Sequence, residues 1–131
     1  MLRFDRARSC FLLEGIPIGP GMSSLQLASS FAAPIQPMPH DPAWGFVQIN
    51  TRPISAFVTF LEGKVHSGYF WAYVPSGGWD DYERAEQQRR AEHERVMDEL
   101  FGAARFEDQA IHVESMRDPR SGLEQINFEV K

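Results

Sequence analysis

Cys10 and the four histidines His40, His66, His93 and His112 are the side chains in this sequence best suited to nucleophilic or metal chemistry. A thiolate nucleophile needs an adjacent base or a positive field. Cys10 instead sits inside the apolar run Ser-Cys-Phe-Leu-Leu, the usual setting of a buried structural thiol. The histidines are scattered, no two of them at H-x-x-x-H spacing, and no second cysteine completes a zinc set. His66 and His112 lie on expected strands, where the fold can still bring them together with each other or with Cys10. Gly19 to Ser24 (GPGMSS) resembles a phosphate-gripping corner only superficially. A P-loop places a lysine after its last glycine, whereas Met22 follows Gly21 and no lysine precedes Lys64. The dinucleotide fingerprint needs a third glycine where Ser24 stands. What remains is a turn that sets Ser23 or Ser24 at a helix N-cap, and no catalytic, cofactor-binding or metal-binding residue is expected.

The second concentration of chemistry is charge. The chain holds 18 acidic and 13 basic residues, a net charge of −5, which disfavours nucleic acid as a partner because such binders carry a basic footprint. Between residues 9 and 79 the only charges are Glu14, Asp41, Arg52, Glu62 and Lys64, so most of the charge follows Trp79. There, Asp80, Asp81, Glu83, Glu86, Glu92, Glu94, Asp98 and Glu99 outnumber Arg84, Arg89, Arg90 and Arg95 by eight to four. One account of this run is a solvated helix face laced with ion pairs. The other is a docking surface for a basic protein, in which Asp80, Asp81, Glu83, Glu94 and Asp98 supply complementary charge and Trp79 or Tyr82 is an aromatic anchor.

The elements that must position these groups follow from periodicity. Cys10 to Ile18 reads as two short strands about a Glu14-Gly15 turn, followed by a helix with Leu25, Leu27 and Phe31 as its apolar residues. Prolines 34, 37, 39 and 42 make the next segment an extended loop, neither helix nor central strand. Trp44–Thr51, Ile54–Leu61 and Lys64–Val74 alternate β-branched and aromatic residues and predict an antiparallel meander, and their lack of charge suggests a largely covered sheet. A long helix runs from Asp80 or Asp81 to a stop at Gly102, with Tyr82, Ala85, His93, Val96, Met97 and Leu100 on one side. Asp80, Arg84, Gln87, Glu94 and Asp98 face away. The chain closes with a hairpin, Ala110–Met116 and Leu123–Val130, around Asp118-Pro119-Arg120-Ser121-Gly122.

The order ββ-α-βββ-α-ββ predicts one α+β domain over residues 1–131, an antiparallel sheet with two helices packed on it. A single cysteine excludes an internal disulfide framework and fits a reducing compartment. Glu14 cuts the early apolar run short of a signal peptide, and no stretch approaches the ~20 apolar residues that span a bilayer. A cytoplasmic protein that neither spans nor docks on a membrane is expected.

Two resemblances bear on function. Gly21 to Pro34, GMSSLQLASSFAAP, resembles the Gly-Met-Ser/Thr helix motif of small bacterial domains related to β-lactamase-inhibitory protein and small outer-membrane lipoproteins, without their signal sequence or lipid-attached cysteine. In size, in the acidic helix DDYERAEQQRRAEHERVMDELFG and in the closing DPRSGLEQINFEV hairpin, the chain resembles immunity proteins of bacterial polymorphic and contact-dependent toxin systems. That likeness implies a non-catalytic inhibitor that occludes a cognate toxin's active site, a basic surface being the natural partner of an acidic protein. Alternative roles are a type III secretion chaperone, which would form a homodimer, and a small ligand-binding protein or enzyme that uses Cys10 with a histidine.

Overall fold

Inward-facing apolar residues at every second position build a seven-stranded antiparallel sheet. The computed structural model describes residues 1–75 and 77–131. The strands are β1 (Leu2–Asp5), β2 (Cys10–Leu13), β3 (Ile16–Ile18), β4 (Gln36–Met38), β5 (Asp41–Ile49), β6 (Ile54–Leu61), β7 (Lys64–Ala72), β8 (Arg105–Glu107), β9 (Ile111–Arg117) and β10 (Glu124–Val130). Helix α1 (Ser24–Phe31) follows β3, and α2 (Tyr82–Phe101) follows β7 after a 3-10 turn at Trp79–Asp81. The large sheet has the order β4-β5-β6-β7-β10-β9-β8, and β1-β2-β3 forms a separate small sheet. This is the α+β architecture that the sequence predicts, with three further strands.

Each additional strand is short. β1 carries only Leu2 and Phe4 as inward residues, too few for a clear alternation. β4 contains Pro37 and lies at one edge of the large sheet, where a residue without an N–H is tolerated, and its register shifts beside that proline. β8 is the other edge. Both edges are three residues long, which limits strand-to-strand association between molecules.

One face of the large sheet carries Val47, Ile49, Ile54, Ala56, Val58, Phe60, Phe70, Ile111, Val113, Ile126 and Phe128, all buried. Helix α2 packs on this face against β7, β8, β9 and β10, and the small sheet lies beside it. Phe11 of β2 joins the layers, its ring 4.6 Å from Phe70 and 5.7 Å from Phe128. Leu27 brings α1 into the same cluster. Ser23 closes a capping box with Gln26, so the Gly-Pro-Gly corner does serve a helix cap.

At Gly68 of β7, paired with Val58 of β6 and Phe128 of β10, there is no room for a side chain. A Cβ there would lie 2.3 Å from the Phe57 carbonyl oxygen and 2.9 Å from the Phe128 ring. The absence of a side chain is therefore a packing requirement of the sheet centre.

Candidate functional site

Among the described residues no helix or strand packs on the opposite face of the large sheet, so the charge-poor strands are covered on one side only. The rings on the open side cover one another instead. Strand pairing aligns its side chains in rows that cross the sheet. One row runs Gln48, Phe57, Tyr69, Asn127, Glu114, Arg105, and the next runs Phe46, Thr59, Ser67, Glu129, His112, Glu107. The β5–β7 half of this face is thus aromatic and the β8–β10 half polar and acidic.

On the aromatic half, Phe46, Phe57 and Tyr69 stack in series at centroid spacings of 5.1 and 5.3 Å, and Trp71 follows at 5.6 Å. A bulge between Thr59 and Phe60 leaves His66 without a partner in the β6 register, and its ring meets Trp44 edge-on at 4.7 Å. The Tyr69 phenol is pushed up from its ordinary value by burial and by nearby Asp118, so it remains a hydrogen-bond donor at neutral pH.

A cleft of about 610 Å³ spans the boundary between the halves, lined by Phe57, Tyr69, Asn127, Glu129, Glu114, Asp118, Met116 and Leu123 among others. Its lining includes three carboxylates and His112 but neither lysine nor arginine. Asp118 is held low by the Arg120 amide and the Ser121 hydroxyl. Glu114 shares His112 at 3.5 Å and Arg105 at 3.7 Å from the cleft rim. Asn127 Oδ1 is buried and finds no hydrogen-bond partner among the described residues.

The groups singled out in the sequence for chemistry lie apart. Cys10 is buried, burial pushes its thiol up, and among the described residues no histidine bonds to it. That is the reverse of a catalytic thiolate. His93 is fully buried and accepts a hydrogen bond from the Ala72 amide, His40 is exposed, and His112 pairs with Glu107 at 3.0 Å. Among the described residues no three His, Cys, Asp or Glu side chains converge as metal ligands.

The acidic candidates lie along the outer side of α2 and the turn before it, across the sheet from the cleft. Trp79 is 88% exposed, and Asp80, Glu94 and Asp98 are also exposed. Asp81 is bound by Arg84 and the Gly77 amide, which hold its carboxyl down at about 2. Glu83 reaches Arg117 at 2.9 Å, and Glu92 and Glu99 both pair with Arg95. Much of the helix charge is thus internally compensated, leaving Asp80, Glu94 and Asp98 without an ion pair among the described residues. The aromatic ladder and Asn127 were not singled out by sequence reasoning. Their trace in the sequence is aromatic residues at both odd and even positions of β5 to β7, more than one buried face needs.

Glu86, which falls between His93 and Met97 on the helical wheel and so on the apolar side, is buried as well. It pairs with Arg89 and accepts the Glu124 amide at 2.8 Å, while Glu124 pairs with Arg90 at 2.7 Å. These groups lock α2 to β10 beneath the open face.

Comparison with solved structures places this architecture. A chain in the complex of Rhs1-CT with its cognate immunity protein RhsI1 superposes on all of this chain and on 88% of its own length, with a TM-score of 0.63 and 13% sequence identity. The two share a fold. No protein-family model and no curated protein matches the sequence. No helix among the described residues is long and apolar enough to cross a membrane.

Proposed function

We propose that the protein is a non-catalytic immunity protein of a bacterial toxin system, acting in the cytoplasm by binding a cognate toxin domain and covering its active site. The observation that carries this reading is the open sheet face: stacked aromatics beside carboxylates, built on a rigid sheet and left bare by the rest of the chain. Aromatic anchors ringed by polar groups are the usual make-up of the energetic centre of a protein interface. The fold shared with a chain of a toxin–immunity complex supports the same role. The net charge of −5 favours a partner with a basic surface and speeds its approach.

A second docking surface is supported by Trp79, whose 88% exposure beside Asp80 is unusual for an indole, with Glu83, Glu94 and Asp98 along the helix beyond it. The test is co-expression with a toxin domain sought among the genes adjoining its own. Growth should be restored by the intact protein and lost when Phe57 and Tyr69 are both replaced by serine in a variant that still folds. Toxicity unaffected by the intact protein would refute the immunity role. Rescue that survives the double replacement but fails on Trp79→Ala would move docking to the helix.

A further inference from the structure

We propose that the acidic half of the open sheet face is a receptor for one cationic side chain, an arginine or lysine presented by the partner protein. Its aliphatic stem lies against Tyr69 and its charged head among Glu129, Glu114 and Asp118. This rests on the binding role above and names what the partner must bring to it.

Three observations converge. Across the strands the aromatic row ends at Tyr69, whose neighbour on β10 is Asn127 rather than another ring, while Trp71 lies along β7 itself. A stem beside Tyr69 therefore continues the apolar row, and a cation there also meets the ring's π-system. Next, Asn127 Oδ1 is buried and lacks a donor, so an incoming N–H satisfies an acceptor that the chain itself leaves unmet. Finally, the cleft lining has carboxylates and no lysine or arginine, and Glu129 has no ion pair among the described residues. An acidic occupant is repelled there, and an apolar one leaves Asn127 and Glu129 without donors. At about 610 Å³ the cleft takes a whole arginine side chain with part of its loop. Arginine is the better match because its five donors can reach Asn127 and a carboxylate at once.

The test uses acetyl-Gly-Arg-Gly-amide as probe, with lysine and citrulline in place of arginine as its cationic and neutral counterparts, titrated into the full chain and followed by backbone amide NMR. The expected result is saturable shifts at Tyr69, Asn127 and Glu129 with the arginine peptide, weaker ones with lysine, and none with citrulline. Glu114→Gln with Glu129→Gln, isosteric changes at the cleft, should weaken binding about tenfold. Glu94→Gln with Asp98→Gln on the helix should leave it unchanged. Equal shifts with citrulline, shifts confined to α2, or an unaltered affinity in the cleft double variant would overturn the proposal. So would sedimentation showing that a second copy of the chain occupies the same face and excludes the peptide. Peptide binding without toxin rescue would leave the receptor intact and remove the immunity role. Rescue without cleft binding would do the reverse.

Discussion

His93 Nε2 accepts a hydrogen bond from the Ala72 amide at 2.9 Å, and one turn earlier on the same helix Arg89 Nε donates to the Ala72 carbonyl at 2.9 Å. Two side chains at i and i+4 therefore clamp both backbone polar groups of the last residue of β7, tying α2 to the centre of the large sheet. Because Nε2 accepts, the ring proton sits on Nδ1, which is buried and unpartnered among the described residues.

Burial, aided by the charge of Arg89, pushes His93 down from 6.5 to about 4. The unfolded chain therefore binds an additional proton between these values, and stability should fall as the pH drops from about 6.5 towards 4. A shift of this size corresponds to roughly 3 kcal/mol at the bottom of the window. Asp81, held at about 2, contributes in the same direction but only below its ordinary 3.8. Thermal midpoints across this range should slope clearly in the intact protein and much less in His93→Gln, which keeps an acceptor without titrating. Equal slopes would show that His93 is not the group responsible.

Removing Glu86 should be costly. Glu86→Ala strands the nearly buried Arg89 guanidinium and leaves the Glu124 amide without its acceptor, a loss of about 3–5 kcal/mol in urea unfolding. Replacing Glu83, whose pair with Arg117 is exposed, should cost less than about 1 kcal/mol.

Gly68→Ala should destabilise the sheet more than any alanine substitution at its edges. The added carbon meets backbone oxygen at 2.3 Å, and the strands must part to accommodate it. Gly45→Ala, with its nearest contact at 3.2 Å, gives the comparison. Denaturation midpoints lowered equally by both would contradict this packing account.

Ser23→Ala should cost about 1 kcal/mol, since it removes the acceptor for the Gln26 amide at 3.1 Å. Ser24→Ala, one residue into the helix, should be nearly neutral. Circular dichroism melts of the two variants separate the assignments.

Charge reversal distinguishes the two proposed docking surfaces. Changing Asp80, Glu94 and Asp98 to lysine breaks no internal ion pair, so a slower association with the proposed toxin partner would reflect lost attraction alone. If the sheet face binds, that change should act only through net charge and fade at high salt, while Glu129→Lys should also speed dissociation.

Local chemistry made a large part of the architecture legible. Glu14-Gly15 and Glu62-Gly63 adopt positive φ at the two hairpin turns, Gly102 stops α2 in the left-handed region, and Ser23 caps α1. Such features depend on a few neighbouring residues, which is why β6 runs from Ile54 to Leu61 as its pattern predicts. Strands β1, β4 and β8 are not legible, because each is only three or four residues long and, unlike the equally short β2 and β3, no Glu-Gly turn marks it.

The antiparallel meander, the amphipathic long helix and the acidic balance can be read from residue order, since each is a property of local spacing or of composition. The bond from the Glu124 amide to buried Glu86, the pairing of Glu83 with Arg117, and the single row of Phe57, Tyr69, Asn127 and Glu114 arise only once the chain has folded. Those facts depend on which strands become neighbours. β7 pairs with β10 across more than fifty intervening residues, and no local pattern records that choice.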